Sequence, residues 1–311
     1  MLQAIHQEAN FQMNFINETC DTGRCSEARD NAVSSCYGEP RLHRIDRCPI
    51  CKGSRLRTIG RTRTIHPAKE LELDLMGCAS CLHWFISPAP LQNELTRLYE
   101  NCSEYVVSAG GQPDRKRFSI PEKYIIRAES RDPRKRKKYL EVGIGRGLLL
   151  DYFKSVGYNC FGVDPGPWAQ GAPDVVKDIT RLDQTGFDVI VMANVLEHVE
   201  DPLSLVKSIG DRIETGTVYA CFPNSQSLRA RLSKGRWRMV RPLGHLHFFS
   251  RRSLSITFES NGFNVKRLAK TDLIEFRCRS LFKPVHLFPV NLFLSVTERF
   301  WGDQWIVQLE K

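Results

Sequence analysis

The chain has 311 residues, 41% hydrophobic and 26% charged, and its Lys+Arg 45 against Asp+Glu 35 give a net charge of +10. At roughly 150 residues per domain that length holds about two domains, and the apolar content excludes wholesale disorder. The positive balance favours acidic partners such as phosphates, nucleic acid or anionic glycans.

Residues 1–44 show no sustained hydrophobic period and are rich in Asn, Glu, Asp and Ser, which predicts an extension of low order. Cys20, Cys25 and Cys36 fall there and read as incidental thiols, with an extra metal or redox site as the alternative. The opening MLQAIHQEANFQMNF lacks the basic segment, apolar run and small-residue cleavage site of a secretory signal. Eleven cysteines, an odd number, are also too few for a disulfide-dense scaffold of this length. Both observations predict a reducing, cytoplasmic setting.

From Arg47 the chain reads RCPICKGS and later MGCASCLHWFISPAP, placing Cys48, Cys51, Cys78 and Cys81 as two Cys-x2-Cys knuckles. Two thiolates on each tight turn, brought together by a hairpin, supply the four sulfurs of a tetrahedral zinc site. The intervening RLRTIGRTRTI and ELELDLMG alternate, and the first is rich in β-branched Thr and Ile, as hairpin strands are. Residues 45–90 are therefore predicted to form a zinc ribbon whose ion is structural, because four Cys ligands leave no position open for water. The alternative is four buried cysteines without metal. His66 and His83 lie nearby as spare donors.

Residues 91–135 read as a helical connector. Leu91, Leu95, Leu98 and Tyr99 have helical spacing, Gly110 to Pro113 break it, and a second helical stretch runs from PEKYIIRAES into the basic RDPRKRKK. Such a basic run suits a solvated face or a phosphate backbone.

Residues 136–311 change to apolar strands alternating with helices, the sign of a parallel α/β sheet with ligands at the carboxyl ends of its strands. YLEVGIGRGLLLDYFKSVG reads as strand, glycine turn and helix, and Gly143, Gly145 and Gly147 leave room for a ligand against bare main chain. The next strand, YNCFGVD, ends at Asp164, 21 residues after Gly143, where a carboxylate can accept both hydroxyls of a ribose. A nucleoside cofactor is implied. Leu148 stands where the dinucleotide fingerprint needs its last glycine, which disfavours a dinucleotide, and no Lys-Ser or Lys-Thr pair follows, which removes a Walker-type phosphate site.

Glu-Val-Gly-Ile-Gly-Arg-Gly resembles motif I of class I S-adenosylmethionine-dependent methyltransferases, and later segments are similar to that family in order. The resemblance implies that Glu141, Gly143, Gly145, Gly147 and Asp164 hold the cofactor, with Asp178 and Ile179 on the adenine-contacting loop. FDVIVMANVLEHVEDPLSLVKSI resembles the fourth strand and following helix, with Asn194, Glu197 and His198 at the strand tip and Asn194 in the cofactor set. GTVYACFPN, GHLHFFSRRSLSITFESNGFNVKRL and GDQWIVQLEK resemble the remaining strands and helix. The implied fold is α/β: a seven-stranded, mostly parallel Rossmann-like methyltransferase sheet with its last strand antiparallel, preceded by the small N-terminal zinc ribbon. The ribbon and its SPAPLQNELTRLY continuation are similar to a zinc module found before some of these domains, often ones acting on sugars, polysaccharides or small metabolites.

S-adenosylmethionine chemistry asks the protein to align donor and acceptor, exclude water and, where needed, remove a proton. His245, His247 and His198, in that order, are the candidate bases, since imidazole titrates near neutrality. Their alternative role is to tie loops together by hydrogen bonds, and Glu197 is weaker as a base and suits orienting a loop. The segment LRARLSKGRWRMVRPLG places Arg236, Trp237, Arg238 and Arg241 as a basic, aromatic acceptor-binding loop or an exposed lid.

The expected acceptor is a small molecule or glycan, anionic in character. RNA is the second reading, because some ribosomal RNA methyltransferases carry a four-Cys ribbon and this one is basic. A non-catalytic binding protein on the same scaffold is the third.

Lys283, Pro284, His286, Pro289 and Asn291 interrupt the apolar stretch from Leu281 to Val296, so it does not make a membrane span. With Phe282, Phe288, Phe293 and Phe300 it reads as core, or as a cover for the acceptor pocket, a dimer face or a peripheral membrane contact.

Overall fold

A computed structural model describes residues 41–66, 69–101, 118–131, 137–145, 147–166, 174–241, 243–271 and 302–311. The expectations for residues 1–40, for most of the basic run before strand 138–142 and for the apolar stretch 281–300 lie outside the described residues.

In chain order the elements are β1 (Leu42–His43), β2 (Leu56–His66), β3 (Lys69–Cys78), β4 (Trp84–Ser87), β5 (Ala89–Pro90) and α1 (Gln92–Asn101), then α2 (Ile120–Glu129). They continue with β6 (Lys138–Val142), α3 (Leu148–Ser155), β7 (Asn159–Val163), β8 (Val175–Val176), β9 (Val189–Ala193) and α4 (Pro202–Gly210). The last are β10 (Thr217–Pro223), α5 (Leu228–Ser233), β11 (His247–Phe248), α6 (Arg251–Glu259), β12 (Asn264–Thr271) and β13 (Gln304–Glu310).

The larger sheet has seven strands in the order β12-β13-β10-β9-β6-β7-β8. β6 to β10 pair in parallel, whereas β13 runs antiparallel to both β10 and β12. This is the mostly parallel sheet with an antiparallel closing strand that the sequence implies. β9 reads VIVMA, and its first four residues are buried, the continuous apolar run of a strand covered on both faces. Local chemistry starts the helices. Asp201 caps α4 by accepting from the Leu203 and Ser204 N–H groups, with Pro202 in the first turn. Ser119 and Glu122 form a capping box at α2.

The smaller sheet, β11-β4-β3-β2, is a ribbon. Leu71, Leu73 and Leu75 of β3 are buried while Glu72 between them is exposed, the period-two pattern of a strand with one packed face. Its fourth strand comes from the far side of the chain: β11 pairs antiparallel with β4, His247 opposite Phe85 and Phe248 opposite Trp84. Cys48, Ile50, Cys78 and Cys81 pack into the same apolar cluster as Val142, Met192, Phe222 and Phe249 of the large sheet's side. Ribbon and α/β domain therefore share one core.

Candidate functional site

The glycine turn follows β6. Gly143, Gly145 and Gly147 all have positive φ (76, 48 and 73°), a region that costs other residues about 1–2 kcal/mol. They differ in surroundings. A Cβ on Gly143 would lie 2.5 Å from Val195 Cγ2, whereas one on Gly145 or Gly147 would meet nothing within 4 Å. Gly143 thus lets the loop after β9 press on the turn, and the other two face open space, a cradle that side chains would fill.

Asp164, at the tip of β7, closes that cradle. Its Oδ2 accepts the Gly145 N–H at 2.8 Å and its Oδ1 the Gly166 N–H at 2.7 Å. Burial pushes its carboxyl pKa upward, and the two N–H bonds act the other way. A carboxylate has about four lone-pair sites, so acceptor capacity remains for two hydroxyls. Glu141 is buried and accepts the Tyr139 hydroxyl at 3.2 Å, and burial raises its carboxyl well above the usual range. Asp178 is exposed and caps the short 3-10 turn Ile179–Arg181 through the Thr180 N–H. Asn194, with φ 57°, accepts Gln304 Nε2 at 2.6 Å, so the first residue of β13 holds the tip of β9.

Beyond β9 the chain builds a second cluster. Glu197, His198 and His245 present one ligating atom each, all within 4.8 Å of one another. The His198 and His245 rings meet edge to face with centroids 4.7 Å apart. His198 Nδ1 lies 2.8 Å from the Gly244 carbonyl and His245 Nδ1 2.8 Å from the Met239 carbonyl. A carbonyl only accepts, so both Nδ1 atoms carry the proton and both Nε2 atoms carry the ring lone pair. Burial lowers the pKa of both rings, His198 to about 4, and keeps them neutral. Glu197 is fully buried, neither carboxylate oxygen has a hydrogen-bond partner among the described residues, and burial pushes its carboxyl up to about 8.

His247 is placed differently. Its Nδ1 lies 3.2 Å from His83 Nε2 and its Nε2 3.4 Å from the Glu200 carbonyl, so both ring nitrogens bind protein. His83 belongs to the ribbon, where its place in the sequence marks it only as a spare donor. Two more bonds join the parts: Ser250 Oγ donates to the Cys81 carbonyl at 2.6 Å, and Ser225 Oγ reaches the Leu82 carbonyl at 3.5 Å.

The basic segment needs a correction. Trp237 is 2% exposed, packs on Phe248 and donates Nε1–H to Asp303 at 3.1 Å, so it offers no stacking face to a ligand. Arg238 Nε donates to the same carboxylate at 2.8 Å, and Arg229 lies 3.3 Å from it. Asp303 is thus the buried hub of the segment. Nothing in its own neighbourhood marks it, since an acid just before a strand reads as a turn residue. Arg236 is exposed and lines an open cavity of about 600 Å³ with Gly60, Arg61, Ser233 and Lys234. Arg241 is half-buried, and its charge bears on Glu197, His198 and His245.

The four ribbon cysteines converge. Their sulfurs lie within 4.8 Å of one another, with Cys48–Cys81 and Cys51–Cys78 each at 3.5 Å. Zinc–sulfur bonds of about 2.3 Å put tetrahedral ligands about 3.8 Å apart, so the set fits zinc. The two turns repeat each other: Lys52 N donates to Cys48 O and Leu82 N to Cys78 O, and Lys52 and Leu82 both have positive φ.

Residues 114–268 match the family model described as a methyltransferase domain. The sheet order and the glycine turn accord with that match, and the α/β part carries a methyltransferase domain. Among curated proteins, the ubiquinone biosynthesis O-methyltransferase of Aliivibrio fischeri is 28% identical over 95 residues, 26% of this chain and 41% of that one. The mitochondrial protein of the same description from Schizosaccharomyces pombe is 29% identical over 115 residues, 31% of this chain and 41% of that one. The chain thus spans about two fifths of the length of these relatives. A solved S-adenosylmethionine-dependent methyltransferase from Archaeoglobus fulgidus is 16% identical with a TM-score of 0.49, covering 67% of this chain and all (100%) of that one.

Proposed function

We propose that the protein transfers a methyl group from S-adenosylmethionine to a hydroxyl of a small, anionic acceptor, and that the four-Cys ribbon holds a structural zinc ion. When bound, the cofactor supplies an electrophilic methyl on a sulfonium. The open faces of Gly145 and Gly147 receive it, Asp164 holds the ribose hydroxyls, and Asp178, Ile179 and Asn194 line its adenosine side. Glu141, its carboxyl pKa pushed upward by burial, accepts the Tyr139 hydroxyl on the strand that leads into the turn.

One adjacency carries the reading. Val195 touches Gly143 of the cofactor turn and lies two residues before Glu197, so Glu197, His198 and His245 form the acceptor side of the cofactor cradle. Their task is to orient the acceptor and draw off its proton. His247, with both nitrogens engaged, is a positioning residue that fixes the loop between β10 and α6 against the ribbon. Arg241 supplies the positive charge for an anionic acceptor, and Arg236 lies farther out on the open basic cavity. The small-acceptor class is supported by the ubiquinone O-methyltransferase relatives.

The basic cavity also favours RNA, and salt separates the two readings. The test incubates the protein with methyl-labelled cofactor and fractionated cell extract at 50 and 200 mM salt. Label is expected in the small-metabolite fraction at both concentrations and absent with Asp164→Ala. Label in RNA that collapses at the higher salt decides for RNA.

A further inference from the structure

We propose that Glu197, His198 and His245 bind a divalent cation of the borderline class, manganous, ferrous or zinc, whose open coordination positions receive the acceptor oxygen. The inference rests on the acceptor-side reading above and specifies how that side works: with the three side chains on the ion, the ion would lower the pKa of the acceptor hydroxyl so that its proton passes to solvent, in place of a free imidazole base.

Three independent features of the cluster point to a cation. The donor set is two imidazoles and one carboxylate, the combination that binds such ions while leaving positions open. Both imidazoles are fixed in the tautomer ligation needs: His198 Nδ1–H is on the Gly244 carbonyl and His245 Nδ1–H on the Met239 carbonyl, each at 2.8 Å. Metal-bound histidines are oriented by such outer bonds. Glu197 is fully buried with both oxygens lacking a hydrogen-bond partner among the described residues, and buried polar atoms are rarely left so.

The backbone is equally set. The Glu197 carbonyl accepts the Leu246 N–H at 2.6 Å and the His247 N–H at 3.3 Å, which ties the His198 loop to the segment carrying His245. Donors on one ion at about 2.1 Å stand about 3.4 Å apart at tetrahedral angles, so closing from a 4.8 Å span is a side-chain adjustment. Arg241 adds a positive charge beside the site, so cation and arginine together exceed the single carboxylate. An anionic acceptor oxygen offsets that excess.

Manganous ion is the probe, because tetrathiolate sites select softer ions. The 311-residue chain, first loaded with one equivalent of zinc, is titrated with Mn2+ while the free-ion paramagnetic resonance signal is followed. Cofactor binding is measured by calorimetry on the same samples. We expect one Mn2+ withdrawn per chain, and about tenfold to a hundredfold weaker binding in Glu197→Gln and His245→Ala. Zinc content and cofactor affinity should stay at the wild-type level. His198→Asn serves if circular dichroism shows either variant unfolded. An unchanged free-ion signal with wild-type protein, or variants that bind as wild type does, overturns the cation site. Loss of cofactor binding with Mn2+ binding intact instead sinks the methyltransferase reading and leaves the cation standing.

Discussion

At the scale of single residues, the histidines around the acceptor side differ by what surrounds each ring. His247 is 1% exposed with both nitrogens bonded, and burial lowers its pKa to about 4. The unfolded chain therefore takes up a proton near pH 6.5 that the folded one takes up only near 4. Its contribution to stability is complete above about 6.5 and is lost as pH falls toward 4. Urea unfolding between pH 4.5 and 6.5 should show His247→Gln with a shallower slope than wild type, by up to about 1.4 kcal/mol per pH unit, one proton's worth. Equal slopes would mean that the folded ring takes up its proton at the same pH as the unfolded one. Glutamine keeps a donor and an acceptor, so the difference isolates titration.

At the scale of elements, the glycine turn combines two constraints that one motif conceals. Gly143→Ala meets both its positive φ and Val195, so it should lower stability by clearly more than the about 1–2 kcal/mol of backbone strain. Val195→Ala in the same chain should recover only the steric part. Gly145→Ala carries the strain alone, because nothing lies within 4 Å of its new methyl. Its main effect should fall on cofactor affinity, since the methyl projects into the cradle. Chemical unfolding and calorimetry on the three variants distinguish these outcomes; equal cofactor affinity in Gly145→Ala and wild type would remove that face from the site. The hairpin follows similar logic. Its alternating Leu71, Leu73 and Leu75 are visible in the sequence, yet the turn at Gly235 packs so closely on β2 that a Cβ there would strike the Arg61 carbonyl.

At the scale of the whole molecule, ribbon and domain are coupled through β4–β11 pairing, the His83–His247 contact and the Ser250–Cys81 bond. Cys48 and Cys81 are fully buried in the shared core. Zinc removal, or Cys81→Ser, should therefore destabilise the methyltransferase domain as well. Calorimetric melting should show one transition lowered by roughly 5–10 °C, the shift that about 2–3 kcal/mol produces in a domain of this size. Two transitions, with the second unmoved, would show that the ribbon melts alone.

Features that depend on near neighbours can be read from the chain alone. Strand and helix periods, the Asp201-Pro202 helix start, the glycine turn with Asp164 one strand later, and the paired Cys-x2-Cys turns are legible because backbone sterics and short hydrogen bonds act over a few residues. Which distant groups meet follows instead from the folded packing. His245 joins Glu197 and His198 across nearly fifty positions, His247 turns from the acceptor side to His83, and Trp237 leaves the surface for Asp303, which gave no sign in its own neighbourhood. Such meetings are set by burial of a common core and by the need to partner each buried polar atom, and neither leaves a spacing in the chain to be read.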